Sequence, residues 1–325
     1  MNGCQAMTDP GDIKIKADSR NQATGDRMVT VLLTRFPYTL LQELATHRLL
    51  RQGGMVEVLG DTNPFTEVTS RSSGSSRAIP VERVIQRILD DPFIPQFSQH
   101  QKGMQGIEID DPAFQQTNET IWMSALEQNI KLARKLAEQG VHKQHVNDLL
   151  KPFMRIPILI TATEWDNFFH LRTDKPCRPE FRTWAIAIKS KIDQSIPEEL
   201  KPGEWHIPFG DQMPPGLSLS EQLQVATARC ARLSYATHDG KRDVQEDVRL
   251  HNQLLQDGHM GPLEHSAMAV SEYFIAPPKI PCYALIPGQT APVFTRNFRG
   301  FYSYRAMIED GSSPLYSLNS SEQNL

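Results

Sequence analysis

The stretch MVTVLL at residues 28–33, followed by a leucine-rich segment at residues 38–50, sets the expectation for the fold. The first segment is short, apolar and rich in β-branched residues, which is typical of a β-strand. The second carries leucines at helical spacing and runs through Thr46-His47-Arg48. This pattern predicts a strand that feeds a helix, with polar side chains where the helix ends.

The remaining segments mix helical and extended patterns without regular alternation. Residues 119–139 repeat apolar side chains at helical spacing, which predicts a helix that stops at Gly140. Other helices are predicted at about residues 80–90, 143–150, 165–172, 179–192, 219–235 and 244–257, and other strands at 156–163 and 266–275. The predicted fold class is therefore α/β (α+β), with a mixed sheet flanked by helices in one large domain.

Polar and Pro/Gly-rich segments mark the expected boundaries. Residues 1–27 and 306–325 are predicted to be flexible tails around a domain at residues 28–305. Within the domain, residues 51–69 contain paired glycines and a DTNP turn, which predicts an inserted hairpin or flap. Residues 92–118 are expected to form a loop or lid, and residues 201–217 a linker.

Composition excludes several classes of function. The chain has 325 residues, 39% of them hydrophobic, and a formal net charge of −4, so a sequence-independent nucleic-acid binder is not expected. No apolar run approaches membrane-spanning length. The four cysteines are widely spaced and form no CxxC pair, which favours neither a disulfide framework nor a zinc knuckle. A cytoplasmic protein with neither nucleic-acid nor membrane partners is predicted.

The segment SRSSGSSRAIP at residues 70–80 groups hydroxyl and guanidinium side chains. Arginine offers a planar fork of donors that matches phosphate oxygens, and serine hydroxyls with backbone N–H groups complete such a site. The segment therefore predicts a pocket for a phosphate-bearing ligand, although neither a GxGxxG nor a P-loop motif is present. The alternative is a solvated serine-rich loop with exposed arginines.

Two other polar groups are candidates for function. The turn GHMGPLEH at residues 258–265 presents two histidines and a glutamate, but the remaining ligands of a metal site are missing nearby, so no metal is predicted. Arg172 follows an apolar helical patch and is placed to enter a pocket. Its alternative role is an ordinary ion pair with Glu180 or Asp174.

No side chain stands out as a covalent nucleophile. The cysteines have no local base partner, and Ser75 and Ser76 lack a GxSxG elbow or an adjacent His/Asp arrangement. A hydrolase triad is therefore not predicted.

Three separated blocks together resemble the flavin-dependent thymidylate synthases, the ThyX family. The first consists of Thr46-His47-Arg48, Ser70 and Ser75-Ser76-Arg77, which is similar to the family's RHR, S and SxR signature. The second is LITATEWDNFFHLRTDKPCRPEFR at residues 159–182. The third runs from ATARCARLSY at residue 226 to GHMGPLEHSAMAV, which ends at residue 270.

The chain departs from the family pattern at several points. The GHxSxxEH-like block follows the RHR-like block, whereas the family has the opposite order, as in a circular permutation. Thr46 replaces the first arginine, Arg178 stands where glutamine is usual, and Gly261 stands where serine is usual. Residues 51–69 interrupt the short spacing before Ser70.

The resemblance implies a homotetramer that binds FAD and dUMP at subunit interfaces. Carried over by position, the FAD-binding residues are His47, Arg48, Ser70, Asn167 and His259. Those that bind dUMP are Ser75, Ser76, Arg77 and Arg172, of which Arg172, Arg77 and Ser75 are also the expected catalytic residues.

The implied reaction is the reductive methylation of dUMP to dTMP. Methylenetetrahydrofolate donates the carbon, NADPH is the reductant and FAD carries the hydride. The altered signature leaves two alternatives open: a related pyrimidine-nucleotide hydroxymethylase, and a nucleotide-binding homologue without catalytic activity.

Overall fold

The computed structural model describes residues 13–45, 54–57, 80–102, 106–233, 243–272, 294–295 and 297–311. Within these residues the chain is a mixed α and β structure with several sheets, as predicted.

The strands and helices are named here in chain order. The strands are β1 (Ile13–Asn21), β2 (Arg27–Pro37), β3 (Gly54–Glu57), β4 (Ser98–Gln99), β5 (Ile107–Glu108), β6 (Arg155–Ala162), β7 (Glu198–Leu200), β8 (Trp205–His206), β9 (Ala267–Ala269), β10 (Phe294–Thr295), β11 (Phe298–Arg299) and β12 (Phe301–Ser303). The helices are α1 (Leu41–Ala45), α2 (Val81–Asp90), α3 (Pro112–Glu138), α4 (Lys143–Asp148), α5 (Asp166–Arg172), α6 (Pro179–Gln194), α7 (Leu219–Ala231), α8 (Val244–Gln256) and α9 (Tyr304–Glu309).

The largest sheet has the strand order β3-β6-β2-β1-β7, with β2 at its centre. Strand β2 pairs antiparallel with both β1 and β6, and its predicted core at residues 28–33 is confirmed. Val29, Val31 and Leu33 are fully buried on one face, as expected for alternate side chains of a strand. On the other face Thr30 is also fully buried. A strand with two covered faces must be flanked by packed elements on both sides.

The main core lies between this sheet and the helices α3 and α6. Phe36 of β2 packs edge-on against Phe181 and Trp184 of α6, with ring centroids 6.2 and 5.4 Å apart. Phe168 of α5 adds a third edge contact to Phe181, at 6.0 Å. Rings in such offset geometry bury large apolar area and interlock, so they fix where α5 and α6 sit against the sheet.

Helix α3 starts earlier than the periodic apolar pattern indicated. The side chain of Asp111 caps the helix by accepting a hydrogen bond from the N–H of Ala113, and Pro112 occupies the first turn. The first turns are polar and half exposed, which hides them from a search for apolar periodicity. The end was predicted correctly: the helix stops at Glu138, and Gly140 has a φ of +74°.

A second sheet with the order β12-β9-β8 lies beside the first. The buried side chain of Asn21 joins the two: its Nδ2 donates to the carbonyl oxygens of Val270 and Gly300 at 2.8 and 2.6 Å. Gly300 has a φ of +68°, which an L side chain adopts only with strain. This glycine therefore sets the turn between β11 and β12.

Several segments predicted to be irregular contain ordered elements. In the N-terminal segment predicted as a tail, β1 occupies residues 13–21, and in the predicted linker β8 carries the fully buried His206. The predicted C-terminal tail begins inside α9, where Ala306 and Met307 are buried. The predicted loop at residues 92–118 holds β4, β5 and the start of α3. Strand pairing, the Asp111 cap and burial of a few side chains order these segments despite their polar composition.

Two further predictions are only partly covered by the described residues. Residues 38–50 were expected to form one helix; a 3-10 turn at Tyr38–Leu40 and α1 account for residues 38–45. In the expected hairpin or flap at residues 51–69, β3 adds an edge strand to the main sheet by pairing with β6. The other residues of these two segments lie outside the described part of the chain.

The helices in the described ranges include none that is both long and apolar enough to cross a membrane.

Replacing Gly300 with alanine tests the junction of the two sheets. A Cβ atom at this position would collide with the side chains of Thr24 and Asp26, the latter at 2.6 Å. Gly140→Ala is the matched control, because Gly140 has a similar φ of +74° and no atom within 4 Å of the added Cβ. We expect Gly300→Ala to lower the free energy of unfolding by about 1–3 kcal/mol more than the control does. Equal losses in urea titrations would contradict this steric account.

Candidate functional site

The best-defined site residue is Arg172, at the C-terminal end of α5. Its guanidinium forms an ion pair with Glu43 of α1 and lies over the ring of Phe181, 5.2 Å from the centroid. Neither Glu180 nor Asp174, the partners considered from sequence, forms this pair; Glu180 pairs instead with Arg178 at 3.0 Å. The Nε atom of Arg172 is buried and has no hydrogen-bond partner in the described structure.

The Arg172–Glu43 pair connects the second block to the helix that precedes the first. Glu43 lies in α1, whose last residue, Ala45, directly precedes Thr46-His47-Arg48. The second block therefore holds the helix that leads into the first. Since the side chains of Arg172 and Glu43 are only 23% and 30% exposed, this pair is better shielded from water than an ordinary surface pair.

A buried thiol lies next to Arg172. Burial raises the pKa of Cys177, with a smaller contribution from the nearby Glu43 carboxylate, while Arg172 and Arg182 partly offset the rise. The thiol is consequently protonated near neutral pH and is a poor nucleophile. Cys230 is also a buried free cysteine.

Cys177 also lines a cavity of about 320 Å³. It lies between residues 95–98 and the N-terminal end of α6, and its wall includes Lys175, Arg178 and Glu180. Of the predicted site residues that the structure describes, Asn167, Arg172 and His259, none lines this cavity. The ion pair between Arg178 and Glu180 neutralises much of the charge of its wall.

The third block forms a tight turn after α8. Gly258 ends the helix with a φ of +76°, His259 is half-buried, and a 3-10 helix at Gly261–His265 follows. Glu264 is almost fully buried and accepts a hydrogen bond from Asn297 Nδ2 at 3.0 Å. Burial raises the pKa of Glu264, although Asn297 and Arg305 oppose this effect.

The arginines at the start of the third block have a structural partner. Arg232 Nη1 lies 2.6 Å from the buried carboxylate of Asp247 in α8, and Arg229 Nε lies 3.4 Å from it. The two arginines of ATARCAR thus hold α7 against α8.

His265 connects the third block to the main sheet. Its Nδ1 is 2.7 Å from the hydroxyl of Thr161 in β6, and that hydroxyl is 2.7 Å from the hydroxyl of Thr30 in β2. The Thr30 hydroxyl is in turn 2.8 Å from Nε2 of His206, whose Nδ1 is 2.9 Å from the Ser19 hydroxyl. We call these five side chains the buried chain; all are at most 2% exposed.

Burial lowers the pKa of His206 and of His265 to about 3 in each case. The neighbouring Asp18 carboxylate slightly opposes this effect at His206, and His206 itself reinforces it at His265. Both imidazoles are therefore neutral near pH 7, with one ring nitrogen protonated in each.

Strand β6 joins the second and third blocks. Its last residues belong to the second block, and its Thr161 bonds to His265 of the third block. Downstream of β6 the chain enters α5 and reaches Arg172. The first block lies outside the described residues, although β3, between its two parts in sequence, pairs with β6.

The predicted site residues fall into two groups. Asn167 is exposed on α5, His259 is half-buried after α8, and Arg172 is paired as described. The others, His47, Arg48, Ser70, Ser75, Ser76 and Arg77, lie outside the described residues.

Sequence reasoning missed Glu43, Thr161 and His206. A glutamate two residues after the leucine pair of α1 has no distinguishing local pattern. Thr161 could have been found from the sequence, because a polar residue inside the apolar run ILITA is expected to need a buried hydrogen-bond partner. His206 lies in the segment taken for a linker. Among the described residues, no group of three His, Cys, Asp or Glu side chains is arranged to hold a metal ion.

Comparison with known proteins adds no relative: no protein-family model matches the chain, and no curated protein matches it significantly.

Replacing Glu43 with glutamine tests the connection between α1 and α5. Loss of this shielded charge partner should lower the free energy of unfolding by about 1–2 kcal/mol, in the range for hydrogen bonds to charged groups. Glu82→Gln is the control, because the Glu82–Arg134 pair is exposed and should contribute little. A Glu43→Gln variant as stable as Glu82→Gln in chemical denaturation would show that the pair contributes nothing.

Because His206 and His265 are buried in their neutral form, we expect the protein to lose stability as the pH falls. Because folding lowers the pKa of His206, its contribution is fully present above pH 6.5 and is lost progressively as the pH falls towards 3. Between pH 7 and 5 the wild type should lose about 2 kcal/mol more stability than His206→Asn, which lacks this titration. The comparison with a variant is needed because the raised pKa of Glu264 acts in the opposite direction.

Urea unfolding at each pH provides this measurement. His100→Asn, at an exposed position, should follow the wild type. If the free energy of unfolding changes with pH in the same way in the wild type and in His206→Asn, His206 is not a buried neutral histidine that gains a proton on unfolding.

Proposed function

We propose that the protein is a flavin-dependent thymidylate synthase that methylates dUMP to dTMP, with methylenetetrahydrofolate as carbon donor and NADPH as reductant. The observation that carries the proposal is that long-range contacts join the second block to the third and to the helix that precedes the first. Thr161 of the second block bonds to His265 of the third, and Arg172 of the second pairs with Glu43, just before Thr46-His47-Arg48 in the sequence.

Arg172 has the chemistry to act on a pyrimidine ring. One guanidinium nitrogen is held by Glu43, while the buried Nε has no partner in the described structure. A fixed cation beside a uracil carbonyl stabilises negative charge that develops on the ring during activation. Glu43 and the Phe181 ring hold the guanidinium in position, so little reorganisation is needed at the moment of reaction.

The state of the cysteines fits a reaction without a protein nucleophile. Burial raises the pKa of Cys177 and so keeps its thiol protonated, although Arg172 partly opposes this effect. In the proposed reaction the pyrimidine is activated by electrostatics, and the protein needs no thiolate.

The described members of the flavin set have suitable chemistry. The exposed amide of Asn167 offers both donors and an acceptor, and His259 contributes a half-buried imidazole. These groups fit the alternating polar edge of an isoalloxazine ring. FAD, when bound, supplies the hydride. In the proposal, His47 and Arg48 hold FAD together with Ser70, while Ser75, Ser76 and Arg77 hold the dUMP phosphate.

Assembly and location are part of the same proposal. The family resemblance implies a homotetramer, and exposed apolar side chains such as Ile121 and Leu132 on α3 and Ile186 on α6 are available for contacts between its subunits. The buried free thiols of Cys177 and Cys230 support a reducing compartment such as the cytoplasm.

The decisive experiment gives the purified protein dUMP, methylenetetrahydrofolate, FAD and NADPH under low oxygen and determines the mass of the nucleotide product. We expect a methyl-bearing product. A hydroxymethyl-bearing product would assign the hydroxymethylase activity instead. Unchanged dUMP, with dUMP still bound, would identify a nucleotide-binding protein without this chemistry.

Arg172→Lys tests the role of the guanidinium. Lysine keeps the charge that pairs with Glu43 but loses the planar fork and the Nε donor. We expect the product formation rate to fall by about 100-fold, as for removal of one electrostatic donor to a transition state. Arg134→Lys is the matched control on an exposed ion pair, and its rate should equal that of the wild type. A wild-type rate for Arg172→Lys would remove this residue from the site.

A further inference from the structure

The buried chain ends at an atom for which the fold provides no partner. From Ser19 through His206, Thr30 and Thr161, each side chain is hydrogen-bonded to the next, and the last bond is to Nδ1 of His265. The other ring nitrogen of His265, Nε2, is buried and has no hydrogen-bond partner in the described structure. Buried polar atoms in folded proteins are rarely left unpaired.

The number of mobile hydrogens in the buried chain determines whether Nε2 of His265 is a donor or an acceptor. Each hydroxyl and each neutral imidazole carries one mobile hydrogen. If Ser19 donates to Nδ1 of His206, then Nε2 of His206 donates to Thr30. Thr30 donates to Thr161, and Thr161 donates to Nδ1 of His265. The one hydrogen left unused lies on Nε2 of His265.

The opposite direction is less favourable. His265 would then donate from Nδ1, and the hydrogens would point along the chain towards Ser19. This arrangement leaves two groups unpaired, the Ser19 hydroxyl hydrogen and the Nε2 lone pair of His265. Since each unpaired buried group is costly, the first direction is preferred, and Nε2 of His265 is an N–H donor that requires an acceptor.

The position of His265 indicates what kind of acceptor this is. Thr161, its partner, is opposite Met55 of β3 in the sheet register, and β6 continues into the helix that carries Arg172. His265 therefore lies against β6, where the third block contacts the second. A neutral N–H donor suits a neutral carbonyl oxygen, whereas a phosphate is better matched by arginine.

We propose that Nε2 of His265 donates a hydrogen bond to a ring carbonyl oxygen of a bound heterocycle, either the pyrimidine of the nucleotide or the isoalloxazine of the flavin. This inference rests on the proposed function and gives His265 a role in ligand binding. The buried chain fixes the direction of the donor, and its far end at Ser19 and His206 makes no contact with the ligand.

Two substitutions of His265 separate ligand binding from structural support. His265→Asn keeps a polar atom at the position of Nδ1, which can still bond to Thr161, but removes Nε2. His265→Gln carries its amide nitrogen to about the reach of Nε2. His206→Asn, at the far end of the buried chain, is the control for disturbing the chain itself. Affinities for FAD alone and for dUMP in the presence of FAD are measured by fluorescence and calorimetry with the full-length protein.

We expect His265→Asn to weaken binding of one of the two ligands by about ten-fold or more, as for loss of a buried hydrogen bond. His265→Gln should remain close to the wild type. His206→Asn should lose less affinity than His265→Asn, because Thr161 can still donate to Nδ1 of His265. A loss confined to dUMP identifies the pyrimidine carbonyl as the acceptor, and a loss confined to FAD identifies the flavin carbonyl.

Three results would overturn the inference. Unchanged affinity of His265→Asn for both ligands would mean that Nε2 bonds to a buried water. Equal losses in the asparagine, glutamine and His206 variants would indicate a structural role only. A wild-type protein that binds neither ligand would overturn the proposed function as well, so the two failures are distinguishable. If His265→Asn does not fold, nitrogen NMR of the wild-type ring decides: an unshifted Nε2–H signal on addition of both ligands contradicts the proposal.

Discussion

The buried chain of hydrogen bonds between Ser19 and His265 is the constraint on which the rest of the structure depends. It runs through the central strands β1, β2 and β6 and reaches β8 and the turn before β9, so it joins the main sheet to the second sheet. A buried polar side chain is stable only when it is hydrogen-bonded. The strands that carry these side chains can therefore pack only in registers and at distances that keep the hydrogen bonds formed. On the opposite side of the main sheet, Phe36, Phe181 and Trp184 pack together and bury apolar surface. Apolar contacts of this kind do not need the exact geometry of a hydrogen bond.

The same constraint positions the candidate site. By holding His265 against Thr161, the buried chain brings the turn after α8 to the end of β6, and the Arg172–Glu43 pair brings α5 to α1. One contact is neutral and fully buried, whereas the other is charged and partly exposed. The first therefore resists changes in salt concentration, while the second is available to respond to a ligand. The proposed chemistry uses this division, with a neutral donor and a fixed cation meeting a polar heterocycle.

The sequence predicted much of the fold where a local pattern coincided with the core. Strand β6, helix α6 and the end of α3 were found because apolar periodicity, prolines and glycines act over a few residues. Segments such as β1, β8 and α9 were missed because their order comes from contacts outside the segment itself: β1 pairs with β2, β8 pairs with β9, and α9 buries a few side chains. The partner of Arg172 was missed for the same reason, since Glu43 is separated from it by 129 positions.

By itself, the sequence determined the mixed α and β composition of the chain, most of its helices, and the polar blocks that motivate a nucleotide site. These features depend on side-chain chemistry and on spacing within one element. Only the tertiary structure decided that Thr161, His206 and His265 share a chain of hydrogen bonds, that both imidazoles are neutral, and that one donor is left over. The physical reason is that desolvation and hydrogen-bond pairing are properties of the folded surroundings, which residues far apart in sequence create together.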